Sequence, residues 1–212
     1  MLTDLRKKLK PFYTASAKKA ALIEVPAVQC LSIEGKGSPE SDVFHRSIEA
    51  IYGSVYTLKF GLKKSTKGKR DFNIMPLEGF WSVANGKIGE PGPRELWQWK
   101  LIIVVPDWVS DEQVKAATTQ LKSEKANPVI DGVRLERIEE GRVVQMLHVG
   151  PYATEPVTVA SMLAYAESEG YTCAGGHHEI YMSDPRRTAP EKIKTILRHK
   201  VQKKGAAAGA GL

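Results

Sequence analysis

Two stretches of this chain carry the same apolar pattern, and that limits its fold more than any other feature does. When Gly35 is laid on Gly150 without a gap, Val28 falls on Val143, Leu31 on Met146, Phe44 on Val159, Ile48 on Leu163 and Ile51 on Ala166. In each copy, apolar residues at strand spacing lead through a glycine into apolar residues at helical spacing. Further along, residues 77–81 (LEGFW) answer to residues 178–181 (HEIY), which sets Glu78 against Glu179. Self-similarity of this kind predicts two copies of one supersecondary unit, strand-helix-strand-strand. The expected class is α+β. Antiparallel sheets carry helices on one side, and a ligand cleft lies where the copies meet.

The elements follow from local chemistry. Residues 22–33 read as a strand closed by the turn residues around Gly35 and Pro39, and Ser41 or Asp42 can cap the helix carrying Phe44, Ile48, Ile51, Val55 and Leu58. Residues 72–83 form a strand candidate broken at Pro76, with a turn-rich stretch over 85–93 after it. Alternation of Trp97, Trp99, Leu101, Ile103 and Val105 marks another strand. A surface helix opens at Ser110, with Val114, Ala117 and Leu121 as its narrow apolar stripe. Residues 133–138 and 142–148, joined through Glu139, Glu140 and Gly141, predict a β-hairpin. Pro156 starts the second repeat's helix, and 195–201 forms the last strand. The chain therefore divides into an arm over 1–21, a body over 22–202 with repeats near 22–108 and 110–202, and a small-residue tail over 203–212.

At 212 residues, with 42% apolar and 26% charged residues, the chain is long enough to bury a sizeable core. No apolar run reaches the roughly 18 residues needed to span a bilayer, and the basic start has no apolar signal core, so the expectation is a cytoplasmic protein without a membrane partner. Cys30 and Cys173 fit no zinc spacing, and His148 and His178 have no third ligand at such a spacing, so neither metal nor cofactor is expected. The net charge of +7 is concentrated in the run from Lys63 to Arg70. That run has no interleaved aromatics and reads as a solvated loop rather than a nucleic-acid grip.

The residue that stands out is Glu179. It lies in a strand-like run over 177–182, between the turn signals Gly175-Gly176 and Ser183-Asp184-Pro185, and alternation puts His177, Glu179 and Tyr181 on one face. Such a face is either solvated or the floor of a pocket. Trp81, Trp97 and Trp99 read equally as core or as cavity lining, and Glu78 as cavity wall or surface carboxylate. Tyr52 matters only if its phenol reaches the cleft, whereas Tyr152 follows the Gly150-Pro151 break at the mouth of a strand.

Across about 3–202 the chain resembles the GyrI-like small-molecule-binding proteins, related to the effector-binding domains of multidrug-sensing transcription regulators. The resemblance rests on 145–155 (QMLHVGPYATE), on 177–187 (HHEIYMSDPRR) with 194–198 (KTILR), and on 77–81 (LEGFW) and 97–101 (WQWKL). It implies a duplicated fold with an aromatic-lined cavity and a buried acidic residue at Glu179, binding bulky hydrophobic, aromatic or cationic small molecules. It also implies, as in stand-alone relatives that open the ring of cyclopropanoid genotoxins, that Glu179 is a general base with Tyr181 as its catalytic companion. Glu78, Trp81, Trp97, Trp99, Tyr52 and Tyr152 are then the candidates for ligand binding. No helix-turn-helix segment precedes the domain in this sequence, so a complete regulator is not expected. A protein-interaction module, for instance an inhibitor of a DNA-handling enzyme, and a multidrug sensor without its own DNA-binding domain stay open as alternatives.

Overall fold

The computed structural model describes residues 2–83 and 92–205. A short parallel pair, β1 (Leu2–Thr3) with β4 (Asp71–Phe72), ties the start of the chain to the body. The remaining strands are β2 (Ala21–Val25), β3 (Val28–Lys36), β5 (Leu77–Val83), β6 (Trp97–Val104), β7 (Arg134–Ile138), β8 (Gly141–Val149), β9 (Tyr171–Tyr181) and β10 (Lys194–Lys203). They form one eight-stranded sheet in the order β2-β8-β10-β9-β5-β6-β3-β7, antiparallel throughout. The helices are α1 (Leu5–Lys8), α2 (Asp42–Ser65), α3 (Asp111–Glu124) and α4 (Glu155–Ser168). Among the described residues no helix is long and apolar enough to cross a membrane.

The two predicted units are present, β3-α2-β5-β6 and β8-α4-β9-β10, and they join edge to edge through the β5–β9 ladder. The expected pair of sheets is thus a single one. The predicted hairpin over 133–148 does not form: β7 pairs with β3, and β8 pairs with β2 and β10. Likewise the single strand expected over 22–33 divides at Pro26, which has no amide proton for a ladder, and its halves β2 and β3 go to opposite ends of the sheet.

These exchanges dictate the sheet's shape. β2 and β3 are six strand spacings apart along the ladder, roughly 29 Å if the sheet were flat, yet the link from Val25 to Val28 covers at most about 11 Å. The same holds for β7 and β8. The sheet must therefore curl until its edges approach each other, and Val25 and Ile138 from the two edge strands, with Val28 of β3, line one small cavity together with Glu78 and Phe80 from its centre.

The inside of that curl is filled by the N-terminal arm and a buried polar network. His178 Nδ1 lies 2.8 Å from Glu140 Oε1 and its Nε2 lies 3.0 Å from Glu78 Oε2, so both carboxylates share one imidazole. Arg198 donates to Glu140 Oε2 (3.1 Å), to Gln145 Oε1 (3.0 Å) and to the Phe12 carbonyl, while the Tyr13 hydroxyl donates to Glu78. The Phe80 ring stacks on His178 with centroids 3.9 Å apart. Burial opposes charge on His178, but the two glutamates outweigh it and raise its pKa. Glu140 is likewise disfavoured by burial and is held below the usual carboxylate range by His178 and Arg198.

Helices α2, α3 and α4 cover the other face. Ser41 caps α2 by accepting from the Phe44 amide, and Ser110 with Gln113 forms a reciprocal capping box on α3. α3 packs on α2 through the predicted stripe Val114, Ala117 and Leu121. Phe44 from the first turn of α2 meets Trp81 and Trp99, and Glu155 at the start of α4 reaches His177. Both helices thus begin over the β5–β9 junction.

Candidate functional site

Strand alternation builds the site on the helix-covered face of that junction. In the ladder Gly79 faces Glu179 and Trp81 faces His177, so His177, Glu179, Tyr181, Gly79 and Trp81 point the same way. Glu78 does not. It points into the curl, bonded to His178 and Tyr13 and 2% exposed, so it cannot share a cavity wall with Glu179. Laying Glu78 on Glu179 is one residue out of register, and with a side-chain period of two such a slip exchanges the faces. The face-preserving match sets Gly79 on Glu179 and Trp81 on Tyr181.

The predicted turn at Gly175-Gly176 is also absent, because β9 runs unbroken from Tyr171 to Tyr181. A Cβ on Gly176 would sit 2.9 Å from the Trp81 carbonyl oxygen. The glycine answers to a close backbone approach, not to a reversal of the chain.

Tyr181 and Trp81 form the aromatic floor. Trp81 Nε1 donates to the Tyr181 hydroxyl at 3.0 Å, and burial, followed by the charge of and a hydrogen bond to Glu179, pushes the Tyr181 phenol well up. The phenol therefore keeps its proton and can donate it to Glu179. Tyr152 stands edge-on to Tyr181 with centroids 6.2 Å apart and is 39% exposed. Its phenol is pushed up to about 12, by burial first and then by Glu179 and Glu155. Trp97 extends the wall outward, edge-on to Trp81 at 5.7 Å, with its Nε1 donating to the Gly92 carbonyl.

Trp99 is 3% exposed with the Phe44 ring 5.1 Å away, a core position. Tyr52 stacks on Tyr56 one turn along α2, in a row continued by Phe60, and its phenol is raised by burial first, then by Tyr56 and by Asp184, which also raises Tyr152.

Three residues not singled out for the site from the sequence complete it. His177 Nε2 lies 3.0 Å from Glu179 Oε1 and 3.8 Å from Glu155 Oε2, and its Nδ1 lies 3.0 Å from His199 Nε2. Burial, with the neighbouring His177 and His178, holds His199 down at about 3, so His199 is neutral and accepts from His177. Burial also works against a charged His177, but the two carboxylates beside it, Glu155 and Glu179, prevail and push it up to about 9. Glu155 is raised by burial, with the Glu179 charge adding to it. The strand pattern placed His177 beside Glu179, but nothing local marks Glu155, which reads as an ordinary acidic residue in the first turn of a helix.

Gly79 is the remaining constraint. A Cβ there would lie 2.8 Å from the Tyr181 hydroxyl and 2.9 Å from Trp81 Nε1, so any larger residue drives those two groups apart. Gly79→Ala is expected to cost about 1–3 kcal/mol of stability as overpacking and to break the Trp81–Tyr181 bond. Thermal melting and tryptophan fluorescence check this; an unchanged melt with an unchanged spectrum would show that the floor is looser than the geometry requires.

Comparison with known proteins agrees with this architecture. The GyrI-like small molecule binding domain family matches residues 105–200. A solved structure of an uncharacterized conserved protein from Listeria innocua is 39% identical, with 94% of this chain and 99% of that one covered and a TM-score of 0.86. A hydrolase from Listeria innocua is 37% identical, with 94% and 99% covered and a TM-score of 0.82. The EcmrR C-terminal domain shares the fold at 15% identity, with 87% and 98% covered and a TM-score of 0.54. A comparison with curated proteins gives no match.

Proposed function

This chain belongs to the GyrI-like small-molecule-binding family, and we propose that its own ligands are bulky aromatic or cationic compounds held over Glu179. The observation that carries this reading is a carboxylate at 13% side-chain exposure, set among Tyr181, Trp81 and Tyr152 at the junction of the two repeats. Flat aromatic faces stack on many ligands without demanding particular hydrogen bonds, and each can add about 0.5–2 kcal/mol for a cation. Glu179 supplies the charge that such a cation seeks.

The same groups suit hydrolysis of a strained cyclopropane joined to an electron-withdrawing group, a reading supported by the hydrolase of 37% identity. Glu179 takes a proton from water, and the water oxygen bonds to a ring carbon. A ring C–C bond breaks, and its electron pair passes to the electron-withdrawing group, which then takes up the proton. Tyr181, still protonated, orients the carboxylate or the water, while Trp81 and Tyr152 hold the substrate in register. Titration with a panel of aromatic dyes tests the binding reading. At least one dye is expected to bind with Kd below about 100 μM, which corresponds to roughly 5.5 kcal/mol. A panel with no binder at that level removes the reading's support.

A further inference from the structure

Of the two carboxylates around His177, Glu155 is incompletely satisfied. One imidazole proton on Nε2 can serve Glu179 at 3.0 Å, but Glu155 Oε2 at 3.8 Å lies outside hydrogen-bond reach. Glu155 is 6% exposed, and its second oxygen, Oε1, has no hydrogen-bond partner. A buried carboxylate oxygen left without a partner is costly.

We propose that Glu155, His177 and Glu179 form a divalent transition-metal site. One ligand atom from each lies within 4.8 Å of the others, so a single ion can reach all three. Two carboxylates balance a 2+ charge, and an imidazole with two carboxylate oxygens favours zinc, cobalt or manganese over calcium or magnesium. The remaining ring nitrogen of His177 is held by His199 at 3.0 Å, the supporting bond that metal-binding histidines commonly have. His177 and Glu179 keep side-chain exposures of 22% and 13%, so an ion can reach the site from solvent. This inference does not rest on the hydrolytic reading: an ion held here neutralises Glu179 and competes with a cationic aromatic ligand for the same carboxylate, and it is detected by its own signal.

The test is titration of chelator-treated full-length protein with Co(II), followed by visible absorption, and with Zn(II), followed by calorimetry. The expected result is one ion per chain with Kd of about 10 μM or tighter. His177→Ala should abolish binding. Glu155→Gln, which keeps the side chain's size, should weaken it at least tenfold, and His199→Ala should weaken it about 10- to 100-fold. Thermal melting of each variant shows whether it is folded. Absence of saturable binding to the wild type overturns the proposal and leaves His177 as a proton-bearing bridge between the glutamates. Equal binding by folded Glu155→Gln and wild type also overturns it, since the ion would then sit elsewhere.

Discussion

Glu179→Gln is expected to slow cyclopropane ring opening by about 10²- to 10⁴-fold, the usual contribution of a positioned general base. The substitution keeps the shape of the side chain and its contacts with Tyr181 and His177 but removes the group that accepts a proton from water. Stacking on Trp81 and Tyr152 is unaffected, so neutral aromatic ligands should still bind. Incubation with a cyclopropane-bearing alkylating agent, with the ring-opened product followed by mass spectrometry, measures the effect. Full activity in the variant would assign the proton transfer to another residue, and Glu155, the second carboxylate beside His177, is the first to examine.

A second large effect is expected on the opposite face. His178→Ala removes the imidazole shared by Glu78 and Glu140 and leaves both carboxylates inside the curl, with Arg198 facing only one of them. Truncating one partner of a buried charged network costs about 3–5 kcal/mol, because the remaining charges keep their desolvation cost without its compensation. Loss of stacking on Phe80 adds to this. Denaturant unfolding measures it directly. A change below about 1 kcal/mol would mean that water reaches the network and screens it. The network also explains why the arm is ordered: Phe12, Tyr13 and Thr14 are each bonded into it, through Arg198, Glu78 and Gln145.

What was legible in the sequence was local. The α2 stripe, the α3 stripe opening at Ser110, and the alternation placing His177, Glu179 and Tyr181 together all depend on spacing within one element, and all are present. What was not legible depends on distant partners. Residues 133–148 have every local property of a hairpin, and only the curling of the sheet, set by contacts more than a hundred residues apart in sequence, sends β7 to β3 and β8 to β2. Glu78 shows the same limit in register: an acidic residue followed closely by aromatics looked equivalent to Glu179, yet one residue of slip puts it on the other face, paired with His178. Trp99 and Trp81 are likewise alike in sequence, and only the position of Phe44 and of the β5–β9 junction makes one core and the other floor. Glu155 acquires its setting from a strand that follows it by more than twenty residues.

The central claim is that the charge of Glu179, within its aromatic setting, selects the ligand. The most direct measurement is quenching of tryptophan fluorescence by a planar aromatic cation and by its neutral isostere, in wild type and Glu179→Gln. The wild type is expected to bind the cation more tightly, and the variant to lose about tenfold, roughly 1.4 kcal/mol, for the cation while the neutral compound is nearly unaffected. Equal losses for both compounds, or no preference in the wild type, would contradict it.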